Sequence, residues 1–272
     1  MFQNIFHDLI RFSYHLWARV LCVSALASQI YNCDTDTDVV RDLVKMCDMG
    51  ILLGGPDIMG GLLEQIAQRL TEHIASISNI SDCDKQPETK RLKLSSDFYK
   101  LSDHSLKLNR PLGDIPVLDN PSILEFVSKC MIPKVVTKLT GSMTDWPALS
   151  SWSTSRLVNL SGPRTVPVEI GGRYTDDDWT QQLMTVDQFV EQFMSSDSSG
   201  RIGYLAQHQL LDQVPALRED IITPDFCYTG DSEQEPEINV WIGPAGTVSP
   251  AHTDKKHNVL CQVLSMTVNL KF

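Results

Sequence analysis

The triplet His252-Thr253-Asp254 is the segment of this chain whose residue types and spacing most directly suggest chemistry. An imidazole nitrogen and a carboxylate oxygen are donor types of the facial 2-His-1-carboxylate site. Such a site holds Fe(II) and leaves positions open for substrate and oxygen. The third donor, a distal His, would come from further downstream. Only His257 follows, and it lies too near in sequence to belong to a separate strand. The residues point to iron chemistry with an incomplete donor set.

The elements that must position such a site have to be built from 272 residues, 42% of them hydrophobic. That is enough for a sizeable core and two domains. A net charge of −11 argues against a protein that coats nucleic acid, because such affinity rests on neutralising phosphates. Acidic balance does suit basic partners, although most acidic proteins are simply soluble. The seven cysteines, Cys22, Cys33, Cys47, Cys83, Cys130, Cys227 and Cys261, are scattered and show no CxxC. They read as reduced thiols of a nuclear or cytoplasmic protein, with neither a disulfide framework nor a structural zinc site. Leu16–Ser28 superficially resembles the apolar core of a signal peptide, but Arg19 interrupts it and no clear basic cluster precedes it. No apolar run reaches the length of a membrane span.

Hydrophobic spacing predicts one or two helices over residues 2–32, a second over Val39–Leu53 and a third over Asp57–Ile77. Gly54-Gly55-Pro56 closes the second helix. These helices make a helical domain over residues 1–78. Residues 79–114, rich in Ser, Asp, Lys and Pro, read as a linker. Its Lys90-Arg91-Leu92-Lys93 cluster is solvated linker charge or a weak import signal. From 115 to 272 the pattern is mixed. Helices are expected at Pro121–Met131 and Val186–Met194. Strands are expected at Lys134–Leu139, Arg164–Ile170, Arg201–Ala206, Glu237–Ile242, Thr247–His252 and Asn258–Phe272. In the last segment Val259, Cys261 and Val263 alternate at odd positions, whereas Val268, Leu270 and Phe272 alternate at even ones. A turn or bulge near Ser265-Met266 must reset the register.

Several longer runs raise the triplet above a chance pattern. They are Thr144–Pro147, Thr165–Ile170, Gly172–Trp179, Gly203–Leu210, and Asn239–Pro244 running into Ser249–Asp254. Through them residues 115–264 resemble the JmjC family of Fe(II)- and 2-oxoglutarate-dependent oxygenases, and Val44–Leu52 resembles the helical part of a family member. The resemblance implies an α+β chain, a helical array followed by a partial double-stranded β-helix of the cupin jelly-roll type. It implies His252 and Asp254 as metal ligands, and Tyr204 and Asn258 as contacts to 2-oxoglutarate, with Thr247 or Ser249 adding a hydroxyl. Glu169, Tyr174, Trp179 and Gln207 would bound a substrate pocket with Trp241 as a packing wall. A carboxylate beside aromatic rings suits a cationic side chain, so Arg and methyl-Lys in a basic protein or peptide both fit. No direct nucleic-acid or membrane partner is implied.

Blander readings stand beside these. Trp146, Trp152 and Trp241 also read as core aromatics, Glu169 as a solvent-facing carboxylate, and His208 as a hydrogen-bonded structural histidine. Two departures from the family pattern bear on activity. Thr267 stands where relatives carry a Lys that pairs with the distal carboxylate of 2-oxoglutarate. Lys271, four residues on, is displaced by about 13 Å at the rise of a strand. The distal His and the rest of the barrel are also missing, and Ser265–Phe272 does not resemble the family strand. The expectation is a truncated or alternatively spliced product, or a gene-model error, inactive as it stands. The alternative is a non-catalytic protein-interaction module.

Overall fold

The structure, a computed structural model, describes residues 36–54, 61–81, 115–171, 179–195, 202–230, 234–250 and 252–264. The helix expected over residues 2–32, Cys22, Cys33, Cys83, Tyr174, Thr267, Lys271 and the register reset near Ser265 lie outside them.

Helix α1 runs from Thr37 to Gly54 and α2 from Leu62 to Ser81. The Asp36 carboxylate accepts the Asp38 amide at 3.1 Å, satisfying one donor of the first turn. Val40, Leu43, Val44, Cys47 and Ile51 recur at helical spacing and are all buried. They pack against Leu63, Ala67, Leu70 and Ile74 of α2, giving the pair its own apolar core. The stripes expected from sequence are therefore real, although α2 begins later and ends later than its hydrophobic spacing suggested.

The second core belongs to an antiparallel sheet, β3 (Thr165–Ile170), β4 (Thr180–Thr185), β5 (Gly203–His208) and β6 (Val240–Ile242), ordered β4-β3-β5-β6. A separate two-stranded parallel pair joins β1 (Val117–Asp119) to β2 (Lys138–Thr140). In β3, Val166, Val168 and Ile170 face the core, so Glu169 faces the other way. Helix α3, Val186–Phe193, lies on the core side. Thr185 and Gln188 form its capping box, and Val186, Phe189, Val190 and Phe193 are buried. Burying Phe189 alone is worth roughly 1.5–3 kcal/mol. A Cβ on Gly203 would stand 2.4 Å from the Phe193 ring, so only glycine lets α3 sit this close to β5.

Several expected elements differ. The strand Lys134–Leu139 shrinks to its end. Lys134 instead takes a left-handed φ of 54°, and the Val135 amide donates to the Cys130 carbonyl at 3.0 Å. These residues close the preceding helical turn rather than extend. That turn itself splits into an α segment, Ile123–Phe126, and a π segment, Val127–Met131. The described residues of Thr247–His252 form no strand: Gly246 has φ 92° and the Thr247 hydroxyl turns back to the Pro244 carbonyl at 2.7 Å. Asn258–Leu264 makes no ladder either. Its alternation survives in part, because Cys261 and Val263 pack on the sheet's core while Leu260, Gln262 and Leu264 are exposed. Sequence reading missed β4, where Thr-Gln-Gln-Leu-Met-Thr buries only Met184. It also missed the helix Thr154–Ser161, entered through the Ser153 hydroxyl, which accepts the Arg156 amide.

Candidate metal and substrate site

The face of the sheet turned away from the core gathers most of the expected site. Glu169 pairs with Tyr204 across β3 and β5, and with Gln181 across β3 and β4. The Trp179 indole donates to Glu169 Oε2 at 3.4 Å. On β6, Val240 and Ile242 pack on the core, which leaves Trp241 on the outer face and 46% exposed. Trp241 is therefore not the core aromatic of the bland reading. Trp146, by contrast, is a core residue, and Trp152 packs against the core while its indole donates to Asp220 at 2.9 Å.

Strand β5 carries a bulge between Leu205 and His208, with Gln207 at φ 48°. The bulge keeps both Leu205 and His208 in register with β6 and leaves Gln207 exposed. His208 behaves as the structural histidine of the bland reading, 2.7 Å from Gln213 Oε1.

Tyr204 is the hinge between the strand face and the following loop. Its hydroxyl lies 3.3 Å from Ser249 Oγ. Burial above all, with the Glu169 charge adding, pushes the phenol pKa above its ordinary 10.0, whereas the Ser249 hydrogen bond works the other way. Tyr204 thus stays a neutral donor across physiological pH. A Cβ on Gly243 would meet Thr247 Oγ1 at 2.6 Å and Tyr204 Cδ2 at 3.0 Å. Gly243 lets the loop carrying Thr247 and Ser249 close against Tyr204, which brings three of the expected cofactor contacts together. The fourth, Asn258, instead donates to Asp254 Oδ2.

The His252 and Asp254 side chains are each oriented by a neighbour. His252 Nδ1 lies 2.8 Å from the Pro250 carbonyl, which can only accept, so Nδ1 carries a proton. Asn258 donates to Asp254 Oδ2. His252 Nε2 and Asp254 Oδ1 lie 3.3 Å apart, and this nitrogen and oxygen match the donor pair of a divalent cation, with both outer partners in place. Both side chains are about half exposed, at 56% and 50%. Among the described residues no group of three or more His, Cys, Asp or Glu could hold a metal, so the pair stands as two donors.

One network escaped sequence reading. Asp48 of α1, fully buried, accepts Arg164 Nε at 2.8 Å, the Thr165 amide at 2.6 Å and Gln213 Nε2 at 2.8 Å. Its only signal in the sequence is a carboxylate beside Cys47 within the apolar stripe of a helix.

An antiparallel sheet with a His-x-Asp segment beyond its last strand defines a cupin-like protein. The cupin-like domain family matches residues 128–264, and the chain belongs to it, among the JmjC oxygenases. The chain is 35% identical over 256 residues to "Lysine-specific demethylase 8" of Danio rerio, covering 91% of this chain and 61% of that protein. It is 34% identical to the protein of the same name from Xenopus tropicalis, covering 91% of this chain and 64% of that one. To "Jumonji C domain-containing protein 5" of Drosophila melanogaster it is 47% identical over 157 residues, 55% of this chain and 39% of the relative. The chain thus spans less than two thirds of the length of these curated relatives. The likeness to the demethylase 8 proteins extends over the helical part as well, as the run Val44–Leu52 led us to expect. The family, the α+β cupin fold and oxygenase membership are those the sequence implied.

Proposed function

We propose that the protein is built for Fe(II)- and 2-oxoglutarate-dependent oxygenation of a cationic side chain, Arg or methyl-Lys, in a basic protein or peptide. The observation that carries this reading is the approach of His252 Nε2 to Asp254 Oδ1, 3.3 Å apart, with Pro250 and Asn258 holding their other atoms. These two residues would hold Fe(II), which when bound supplies the open coordination positions for 2-oxoglutarate and oxygen. Tyr204, Ser249 and, on turning from the Pro244 carbonyl, Thr247 offer hydroxyls to the carboxylates of 2-oxoglutarate. Glu169, Trp179 and Trp241 present a carboxylate and aromatic faces on the outer face of the sheet, which attract a guanidinium or methylammonium. Overall, one oxygen atom enters a C–H bond of the substrate and the other enters succinate, with loss of CO₂. Hydroxylation of Arg stops there, whereas hydroxylation of an N-methyl group releases formaldehyde. The names of the two demethylase relatives favour methyl-Lys; the Glu169 carboxylate suits Arg equally.

The described residues supply two protein donors, where a facial site takes three. The second reading is that these residues serve as a non-catalytic protein-interaction module, and turnover separates the two. Purified chain is incubated with Fe(II), 2-oxoglutarate and an Arg-containing peptide or its methyl-Lys counterpart, and succinate is measured. A polypeptide extended past Phe272 should form succinate and lose it on His252→Ala. Turnover by the 272-residue form above its own His252→Ala control would overturn the interaction-module reading. Absence of turnover in both forms would overturn the oxygenase reading.

A further inference from the structure

We propose that Asp48 of the helical hairpin is a positioning residue for the outer face of the sheet, acting through Gln213 and His208 on the bulge that presents Gln207. The role assigned to that face rests on the oxygenase reading; the relay itself does not.

Every donor to Asp48 named above comes from outside the hairpin. Arg164 and Thr165 lie at the start of β3, and Thr165 opens the strand whose Glu169 faces the site. Gln213 Nε2 donates to both Asp48 Oδ1 at 2.8 Å and the Thr165 carbonyl at 2.9 Å. Those two acceptors fix which end of the amide is nitrogen. Gln213 Oε1 must then point to His208, and it can only accept. His208 is therefore held as the Nε2–H tautomer, donating at 2.7 Å. The charge on α1 thus selects, through one amide, the tautomer at the end of β5.

His208 ends β5, and its pairing with Val240 closes the bulge that began at Leu205. Between them Gln207 holds a left-handed φ of 48°, a conformation that a non-glycine residue keeps only when its neighbours over-determine it. Leu205 is held by the core and by Ile242; His208 is held by Gln213. Releasing Gln213 frees one side of the bulge while leaving the other intact.

The test uses the full chain, labelled with ¹⁵N, and reads the imidazole nitrogens of His208 together with amide exchange across Gly203–His208. Gln213→Met keeps the volume and removes both ends of the relay, while Asp48 retains Arg164 and Thr165. We expect α1 and α2 amides to stay as protected as in wild type. His208 should move from a single Nε2–H tautomer to a mixture, and exchange across Gly203–His208 should quicken at least tenfold. Asp48→Asn, an isosteric change, should shift His208 in the same direction although it touches no atom of it. Unchanged His208 nitrogens and unchanged exchange in Gln213→Met would overturn the proposal. So would an Asp48→Asn protein with a wild-type His208 spectrum. Neither readout requires iron, 2-oxoglutarate or peptide, so an absence of succinate formation counts against the oxygenase reading alone.

Discussion

Arg164 and Asp48 meet at 2.7 Å with both side chains wholly shielded from solvent, one at the start of the sheet and the other on the first described helix. Arg164 Nη1 has no hydrogen-bond partner among the described residues. The pair is a point of specification rather than of surplus stability, since two desolvated charges roughly offset their own attraction.

Removing one partner leaves a buried charge alone. Asp48→Ala should cost about 3–5 kcal/mol of unfolding free energy. Replacing both, Asp48→Leu with Arg164→Met, should recover part of that loss, the Thr165 amide still lacking its acceptor. Urea unfolding of the two variants decides it, and equal losses in both would contradict the argument.

Cys47 gives a basic-pH prediction. Burial first, and the Asp48 charge second, push its thiol from 9.0 up to about 12. Between those values the unfolded chain releases a proton that the folded chain keeps, so stability falls as pH rises through the window. At about 1.4 kcal/mol per decade the loss approaches ~4 kcal/mol at most. Unfolding midpoints above pH 9.0 should decline more steeply in wild type than in Cys47→Ala. The folded thiol should also resist alkylation.

His208 gives the opposite limb. Its pKa is lowered from 6.5 chiefly by burial, against the raising effect of the Gln213 hydrogen bond. The unfolded chain therefore takes up a proton first on acidification, and stability falls as pH drops below 6.5 toward the folded value. In His208→Gln that portion of the acid slope should disappear. Melting temperatures at a series of pH values from 7 downward measure it; an unchanged slope would contradict the assignment.

Gly243→Ala should cost about 1–3 kcal/mol, because the new methyl meets the Thr247 hydroxyl and the Tyr204 ring with little room to yield. Thr247→Ala in the same background removes the nearest atom and should restore part of the loss. The pair, read by thermal melting as a double-mutant cycle, should show coupling beyond additivity.

How much of this was legible before any coordinates depended on whether a local pattern carried the information. The apolar stripes of Val40–Ile51 and Leu63–Ile74 were legible because helix burial repeats every three or four residues. The alternation of Val166, Val168 and Ile170 was legible for the same reason at period two, and it turns Glu169 to the outer face. Strand β4 was not, since its exposed Gln181 and Leu183 and its single buried Met184 show no alternation. Lys134 and Gly246 overrode apolar runs through backbone conformation, which composition does not encode. Family resemblance singled out His252 and Asp254 where pattern alone left an even choice, and it alone pointed to Tyr204. Neither route found Asp48, because its partners lie more than a hundred residues away and no local rule links them.

That separation has a consequence for folding. The Arg164–Asp48 contact closes a loop of 116 residues. Loop-closure entropy grows only with the logarithm of length, so doubling the intervening chain adds about 0.6 kcal/mol. Lengthening the stretch between Ser81 and Ile115 should therefore leave the hairpin seated on the sheet, while slowing its arrival there. The seating is set by contacts such as Asp48 with Arg164 and Arg41 with Asp187, and the tether sets mainly how long the search takes.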